Sequence, residues 1–157
     1  MLISPYFASP NLVIHRLLTL AKMKKGETLY DLGSGDGRTL VIAATEFGAK
    51  GVGIELREDL IRKAVATILR YGLQDSLKII KKDMFQVDIS AADAVYLYLT
   101  TSANEKVRPK LESELRKGTR VVSHDYEITK WKAIKVEKFC EDPEKCYPIH
   151  TLYLYKR

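Results

Sequence analysis

The sequence predicts an α/β protein built on a mostly parallel sheet that is covered by helices on both faces. Short apolar segments with strand character alternate with longer amphipathic segments along the 157 residues, and this alternation is typical of such a sheet. A glycine-rich turn, "YDLGSGDGRTL" at 30–40, joins the first strand to a helix. The last two strand-like stretches flank the turn EDPEK and predict an antiparallel hairpin.

The individual elements follow from hydrophobic periodicity and from helix start and stop signals. In chain order they are a helix at 10–23 with Ser9 as its N-cap and Pro10 at its first position, a strand at 28–32, the loop at 33–37, a helix at 38–48, a strand at 51–56, a helix at 57–72, strands at 76–80 and 94–99, a helix at 103–116, a strand at 120–125, and two strand-like stretches at about 132–140 and 147–156. The stretch 94–99 is almost entirely apolar and predicts a central strand. We interpret 1–157 as one domain, in which residues 1–25 fold over the open edge of the sheet.

The composition is that of a globular protein, with 46% hydrophobic and 29% charged residues. The net charge of +6 permits anionic partners without demanding them, because the basic residues are dispersed among acids. No segment approaches the roughly 18 apolar residues that a membrane helix needs. The first residues lack the pattern of a signal peptide. We therefore expect a cytoplasmic protein that does not bind membranes.

The two cysteines, Cys140 and Cys146, leave two interpretations open. Their spacing is not CxxC and no histidine cluster accompanies them, so we predict no metal site. They either face each other across the hairpin as a disulfide or are two free thiols. Asparagine and glutamine are scarce whereas lysine and glutamate are abundant, which favours a thermophilic source.

The glycine-rich loop indicates the chemistry of the ligand. Its glycines let the backbone approach a ligand closely, as in dinucleotide-binding loops of the form GxGxxG. Here the pattern is GxGxG, the loop contains no lysine, and Asp31 and Asp36 accompany the glycines. These carboxylates would repel a pyrophosphate and attract a cationic amino group and a sulfonium. The sequence therefore predicts S-adenosylmethionine, with S-adenosylhomocysteine as product, held by Asp31, Gly33, Ser34, Gly35, Asp36 and Gly37.

Two more acids occur where such a cofactor needs them. Glu55, followed by Leu56, ends the second strand, at the position where a carboxylate binds ribose hydroxyls. Asp83 follows the third strand and matches the acid that class I methyltransferases use near the adenine amino group. Met84 would pack on the adenine ring. Three signals in register make the cofactor prediction much stronger than the loop alone.

Five segments of the chain together resemble a known family. They are "LYDLGSGDGR", "GVGIEL", "KKDMF", "AVYLYLTTSAN" and "LRKGTRVVSHDY". Across roughly residues 5–131 they resemble the small seven-β-strand protein lysine methyltransferases, which include an archaeal enzyme and the mitochondrial enzymes that modify ATP synthase subunit c and the adenine nucleotide translocase. The resemblance implies a Rossmann-like class I fold, with strand order 3-2-1-4-5-7-6. It also implies lysine side chains of proteins as acceptors and an archaeal source.

The resemblance also implies site residues outside the loop. "PYFASP" matches a pre-SAM segment within 1–25 that closes over the cofactor, so Tyr6 and Phe7 would line the site. As an alternative, these two rings are a hydrophobic staple on the first helix. Tyr98 lies where methyl acceptors sit in this superfamily. The structural alternative is that Tyr96 and Tyr98 simply alternate along a strand, one in the core and one at its rim. Further candidates for substrate contact are Thr100, Tyr126 and Trp131, since aromatic rings can guide an ammonium group.

His124 and Asp125, at the end of the fifth strand, permit two interpretations. They are a base with its orienting carboxylate or a polar wall of the acceptor channel, or else they are structural. A lysine ammonium must lose its proton before it attacks, and a desolvated channel beside a sulfonium lowers its pKa. A dedicated base is therefore optional. The catalytic candidates are Tyr98, Tyr6, His124 and Asp125.

Other functions remain open as alternatives. An RNA or DNA methyltransferase suits the basic charge, but "YLYLTTS" lacks the Asn/Asp-Pro-Pro-aromatic motif of amino-adenine and amino-cytosine enzymes. A small-molecule methyltransferase commonly carries lids for which this chain has little room. A module that only binds the cofactor is the remaining alternative. We expect a monomer that methylates proteins and, with 17 lysines of its own, also itself.

Overall fold

The computed structural model describes residues 3–157, in which one sheet of seven strands is accompanied by four α-helices. The elements are α1 (Asn11–Leu20), β1 (Thr28–Leu32), α2 (Arg38–Phe47), β2 (Lys50–Glu55), α3 (Glu58–Arg70), β3 (Leu77–Lys81), a 3₁₀ turn (Met84–Gln86), β4 (Ala94–Leu97), α4 (Thr101–Glu114), β5 (Arg120–His124), β6 (Lys135–Cys140) and β7 (Ile149–Lys156). None of the helices in this part of the chain is long and apolar enough to cross a membrane.

The strand order is β3-β2-β1-β4-β5-β7-β6, which confirms the predicted topology. Strands β1 to β5 pair in parallel, whereas β7 runs antiparallel to both β5 and β6. The terminal hairpin is therefore confirmed as well. Strand β4 is central and all four of its residues are buried, because helices cover both faces of the sheet there.

The order in which strands are added to the sheet reverses between β1 and β4, and a ligand crevice is expected at this point. From β1 it proceeds outward to β2 and β3, and then returns to β4 on the other side of β1. Helices then leave from opposite faces, and a crevice opens beyond the carboxyl ends of these two strands. Leu32 and Leu97 are paired across this end of the sheet.

The core lies on both faces of the sheet. On one face Ile14 of α1, Leu40 of α2 and Ile68 of α3 pack in a single buried cluster. On the other face Val107 and Leu111 of α4 pack in a second cluster. The two apolar faces follow from the alternation of side chains along each strand.

The N-terminal segment differs from the prediction in two ways. The N-cap residue of α1 is Pro10, without a side-chain cap, and the helix ends at Leu20. The hydroxyl of Ser9 is hydrogen-bonded to Tyr96 and His124 instead of capping the helix. Helix α1 also packs on a face of the sheet, against α2, β5 and β7, rather than over an open edge. The reason is its buried stripe, formed by residues such as Leu17, which needs an apolar face as its partner.

Two further details concern the site and the hairpin. Strand β4 ends at Leu97, two residues earlier than predicted, so Tyr98 lies in the loop beyond the carboxyl end of the sheet. Cys140 and Cys146 form a disulfide. This bond closes the turn between β6 and β7 and decides between the two interpretations that the sequence left open.

Candidate active site

The glycine loop is shaped by contact with the N-terminal segment. Gly33, Gly35 and Gly37 have φ values of +83°, +54° and +81°, in the left-handed region that favours glycine. A Cβ at Gly35 would lie 2.4 Å from Cε2 of Tyr6. The ring of Tyr6 therefore rests directly on the loop, and only glycine leaves room for it.

Glu55 holds the loop from the neighbouring strand. Its buried carboxylate accepts hydrogen bonds from the backbone N–H groups of Gly35 at 2.9 Å, Leu56 at 2.8 Å and Arg57 at 3.1 Å. The acid thus fixes the loop after β1 and the entry to α3 at the same time. Its position at the carboxyl end of β2 agrees with the proposed contact to a ribose.

The two acids of the loop motif have opposite environments. Asp31 is only 4% exposed, and burial, reinforced by the carboxylates of Glu55 and Asp36, raises its pKa to about 8. Burial also acts to raise the pKa of Asp36, but hydrogen bonds from Arg38 outweigh it and bring that pKa below its usual value. Asp36 pairs with the Arg38 guanidinium at 2.7 Å. Among residues 3–157 no cation is paired with Asp31, and a cationic ligand would favour its ionised form.

Two adjoining cavities open at the carboxyl ends of β1, β2 and β4. The larger has a volume of about 620 Å³ including the solvent at its mouth, and is lined by Ile3, Ser4, Pro5, Tyr6, Phe7, Gly33, Ile54, Glu55, Leu56, Arg57, Lys82, Asp83, Met84, Phe85, Tyr98 and Leu99. The smaller has a volume of about 270 Å³, and is lined by Tyr6, Phe7, Ala8, Ser9, Asp31, Gly33, Ser34, Asp36, Arg38, Thr39, Tyr96 and Tyr98. We call the two together the cleft. The structure thus brings every predicted cofactor residue to the cleft or to the loop that borders it.

The residues of the cleft fit the predicted cofactor. In the part of the chain that the structure describes, the buried Oγ of Ser34 has no hydrogen-bond partner, and Ser34 lines the smaller cavity beside Asp31. Asp83 accepts a hydrogen bond from the N–H of Phe85, and it lines the larger cavity together with Met84. A ligand with an ammonium at Asp31, a ribose at Glu55 and an adenine near Met84 matches this arrangement.

Aromatic side chains form the wall between the two cavities and the surface. Tyr98 lines both cavities, stacks on His124 with ring centroids 3.9 Å apart, and lies 6.4 Å from the ring of Tyr126. Burial and the charge of Asp125 raise the pKa of Tyr98. Phe7 is 68% exposed at the rim. The packing of Tyr6 and Phe7 around the cleft agrees with a lining role rather than with a staple on α1.

Two predicted substrate residues have other partners. Trp131 donates from Nε1 to Glu112 of α4 at 2.9 Å and packs on Tyr155, with ring centroids 6.0 Å apart. This places it in the cluster beneath α4 rather than at the cleft. Thr100 is the N-cap of α4, and its hydroxyl accepts from the N–H of Ala103. Thr100 is next to the cleft residue Leu99. The substrate roles of Trp131 and Thr100 stay predictions.

His124 is completely buried behind Tyr98 and does not open onto the cleft. Its Nδ1 lies 2.8 Å from Oγ of Ser9, and its Nε2 lies 2.8 Å from Nδ1 of His150. Burial lowers its pKa to about 4, with Asp125 opposing and His150 adding to the shift. His124 is therefore neutral at pH 7 and cannot contact an acceptor directly.

A residue of the resembling segments acquires a role that the sequence did not reveal. Asn104 is fully buried in α4 and donates from Nδ2 to the carbonyls of Tyr126 and Glu127, both at 3.1 Å. It therefore fixes the segment after β5 that carries Tyr126. The sequence signal for this role was the polar side chain of Asn104 at a position of the helix that faces the core.

One group of metal-ligating residue types occurs within 3–157, namely His124, Asp125 and His150, whose ligand atoms lie within 4.8 Å of one another. The two imidazole nitrogens are 2.8 Å apart, which is a hydrogen-bonding distance. Nitrogens that share a tetrahedral zinc ion at ~2.0–2.1 Å would be roughly 3.3 Å apart. The prediction that no metal is bound stays a prediction.

A family model described as the ANTKMT methyltransferase domain matches residues 31–135. The chain belongs to this methyltransferase family. It is 44% identical over 152 residues to a protein-lysine N-methyltransferase of Saccharolobus islandicus (strain REY15A), a match that covers 96% of this chain and 92% of the relative. It is 31% identical over 147 residues to the adenine nucleotide translocase lysine N-methyltransferase of Mus musculus, of which the match covers 63%.

A solved structure of this methyltransferase fold is similar over nearly the whole chain. It is described as an RNA methyltransferase from Salinibacter ruber in complex with S-adenosyl-L-homocysteine. The TM-score is 0.87 at 40% identity, and the match covers 96% of this chain and 93% of that chain. The resemblance inferred from the five sequence segments is confirmed by these matches, as is the class of fold.

Proposed function

We propose that the chain transfers methyl groups from S-adenosylmethionine to lysine side chains of proteins. The choice of lysine as acceptor is supported by the 44% identity to a protein-lysine N-methyltransferase, which extends over almost the full length of both chains. The observation that supports the cofactor is the cleft, in which the buried Asp31, unpaired with any cation of residues 3–157, lies beside a glycine loop. An acid in such a site favours an ammonium ligand over a phosphate.

The cofactor residues have distinct proposed tasks. Asp31, with the backbone of the Gly33–Gly37 loop and Ser34, holds the amino acid end. Glu55 and Leu56 hold the ribose, and Asp83 and Met84 hold the adenine. When bound, S-adenosylmethionine supplies an electrophilic methyl group on a sulfonium. Tyr6 and Phe7 cover the cleft and exclude water, which strengthens the electrostatic interactions inside it.

On the acceptor side, the chain must position a lysine nitrogen and receive its proton. Tyr98 and Tyr126 offer ring faces and edges to the incoming ammonium, and positioning supplies much of the rate in such a displacement. Asp125 lies behind Tyr98 and contributes negative charge there. These residues would present the acceptor as a neutral amine, which is the form that can accept a methyl group.

A second candidate acceptor is RNA, since the similar solved structure carries that description. The deciding experiment incubates the protein with radiolabelled S-adenosylmethionine and either total protein or total RNA, with Asp31→Ala as the inactive control. Label in protein, recovered as methyl-lysine after hydrolysis, is the expected result. Label in RNA alone would overturn the lysine assignment.

The proposal also covers self-methylation, the cellular location, the oligomeric state and the source of the protein. Protein substrates with accessible lysines include the chain itself, and self-methylation would appear as methyl-lysine in the purified protein. We further propose a cytoplasmic monomer from a thermophilic, archaeal source. Support comes from the lysine- and glutamate-rich composition and from the sequence patterns described above. Size-exclusion chromatography with light scattering tests the monomer.

A further inference from the structure

A continuous line of hydrogen bonds leads from the cleft to the terminal hairpin. The hydroxyl of Tyr96 donates to Oγ of Ser9 at 2.7 Å, and Oγ of Ser9 lies 2.8 Å from Nδ1 of His124. Nε2 of His124 lies 2.8 Å from Nδ1 of His150, and Nε2 of His150 lies 2.7 Å from Oε1 of Glu141. We call these five residues the buried chain. Four of them are at least nine-tenths buried.

The two ends of the buried chain have different surroundings. Tyr96 and Ser9 line the smaller cavity of the cleft, beside Asp31. The side chain of Glu141 is 29% exposed, in the hairpin turn next to Cys140. The buried chain therefore joins the smaller cavity of the cleft to a carboxylate near the surface.

The carboxylate at one end fixes the direction of every hydrogen bond. An ionised Glu141 can only accept, so Nε2 of His150 carries the proton. Nδ1 of a neutral His150 must then accept, and it receives the proton on Nε2 of His124. Nδ1 of His124 in turn accepts from the hydroxyl of Ser9, which accepts from Tyr96. Each link thus has one donor and one acceptor, and all donors point away from the cleft.

We propose that the buried chain is a proton relay that takes the proton from the acceptor lysine and delivers it to Glu141. This rests on the proposed function, because the proton that enters the relay is taken from the ammonium group of an acceptor lysine. The Nζ–H bond of the ammonium breaks and an O–H bond forms on Tyr96. Tyr96 passes its own proton to Ser9, and Ser9 passes its proton to His124.

The transfer continues from Nε2 of His124 to Nδ1 of His150, and from Nε2 of His150 to the carboxylate of Glu141. Each broken bond leaves its electron pair on the donor atom, so the net change is one proton moved from the ammonium to Glu141. The amine nitrogen is left with the lone pair that forms the new N–C bond. When product leaves and water enters the cleft, the reverse transfer resets the relay.

A carboxylate beside the relay would stabilise the positive charge of a proton that moves through it. The titratable and charged groups that face the relay from outside it are Asp31, Arg38, Tyr98 and Asp125. Oδ2 of Asp125 lies 3.4 Å from Nε2 of His124 and 3.8 Å from Nδ1 of His150, beside the link between the rings. Its other oxygen accepts from the N–H of Thr151, which holds it in place. The low pKa of His124 keeps its ring neutral at pH 7, so that one ring nitrogen carries a proton and the other can accept one.

The direction of the relay can be measured without any reaction. Two-bond ¹H–¹⁵N correlation spectra of the protein without cofactor report which ring nitrogen of each histidine is protonated. We expect His124 and His150 to be single Nε2–H tautomers in the wild type. In Glu141→Gln both tautomers become populated, because an amide can donate as well as accept. A wild-type His124 that is protonated at Nδ1 would overturn the proposal.

Kinetics test the transfer itself. Glu141→Gln removes the final proton acceptor from a partly exposed position, so folding is preserved. We expect kcat at pH 7 to fall by about ten- to a hundredfold with KM for S-adenosylmethionine unchanged. The deficit should narrow toward pH 9.5, because the free amine fraction of a lysine with a pKa near ~10.4 rises about tenfold per pH unit. A wild-type kcat in this variant would overturn the relay.

The chain offers a matched control. His15 and Glu46 form a histidine–carboxylate pair on the exposed surface between α1 and α2, so Glu46→Gln makes the same substitution outside the relay. It should leave kcat and its pH profile unchanged. An equal loss in both variants would overturn the relay. Failure of the wild type to methylate protein would defeat the proposed function instead, and the tautomer spectra would still test the hydrogen-bond direction.

Discussion

The cofactor cleft and the buried chain lie side by side, yet they are assembled in different ways. The cleft uses short stretches of neighbouring residues, such as Asp31 to Gly37 and Glu55 to Arg57, and many of its contacts come from the backbone. In the buried chain, Ser9 bonds to residues 87 and 115 positions away, and only side chains take part. Parallel strands bring their carboxyl ends together automatically, whereas the relay needs the complete tertiary fold.

Asp31→Asn should have the largest effect, and it should be confined to the cleft. The substitution removes the acid that would pair with the ammonium of the cofactor, and loss of one partner of a buried pair costs about 3–5 kcal/mol. We expect the Kd for S-adenosylmethionine to rise about 100-fold or more, measured by calorimetry. Asp36→Asn is the matched variant and should lose much less, because Arg38 already pairs with Asp36. Equal losses would contradict this distinction.

The same Asp31→Asn variant should be more stable than the wild type at neutral pH. The pKa of Asp31 is raised from 3.8 to about 8 in the folded protein, so its contribution is fully present below pH 4 and is lost as the pH rises through 8. Asparagine has no such dependence. The difference in Tm between variant and wild type should therefore grow from pH 5 to pH 8 in thermal scans. A constant difference would show that Asp31 is not protonated in the folded state.

Removal of the disulfide should lower the stability of the protein and disturb the Glu141 end of the buried chain, while cofactor binding in the cleft is unchanged. The double variant Cys140→Ser/Cys146→Ser opens a loop with a sequence separation of 6, and loop-closure entropy gives a loss of about 2 kcal/mol. For a chain of this size the Tm should fall by about 4–8 °C. Because Glu141 adjoins Cys140, the tautomers of His150 should become mixed while cofactor affinity is unchanged. A large loss of affinity for S-adenosylmethionine would show that the cleft and the buried chain are not independent.

Gly35→Ala should have the smallest of these effects and acts only on the loop. A Cβ there is strained by the φ of +54° and meets the ring of Tyr6 at 2.4 Å. We expect at least a roughly tenfold weaker binding of S-adenosylmethionine, since the left-handed conformation alone costs roughly 1–2 kcal/mol. The control is Gly72→Ala, where φ is +65° and nothing lies within 4 Å of the added Cβ. An unchanged affinity in Gly35→Ala would mean that the contact with Tyr6 is dispensable.

The parts that the sequence predicted well are those governed by local pattern. The strands and the loop after β1 were recovered because apolar alternation and glycine spacing act over a few residues, whereas the strand order was implied by the family resemblance. The pairing of Asp36 was missed, although its partner Arg38 is only two positions away. A short-range ion pair competes with the ligand for the acid, and the motif alone does not say which wins.

The misplaced residues were those whose partners are distant along the chain. Ser9 satisfied the pattern of a helix cap, but its hydroxyl is recruited by Tyr96 and His124 once α1 packs on the sheet. Trp131 follows the segment that resembles the family, and the structure pairs its indole N–H with Glu112 of α4, a partner that the sequence did not indicate. In both cases a side chain had two compatible environments, and packing selected one.

By itself, the sequence determined the class of fold and the cofactor chemistry, because these depend on periodicity, on backbone freedom at Gly33, Gly35 and Gly37, and on acids at the ends of successive strands. The family followed from the resemblance of five segments to known enzymes. Only the tertiary structure decided that Asp31 is buried without a cationic partner among residues 3–157, that Cys140 and Cys146 are joined, and that His124 lies buried behind Tyr98. Burial and hydrogen-bond direction are properties of the assembled interior, where the loss of water makes each polar contact consequential.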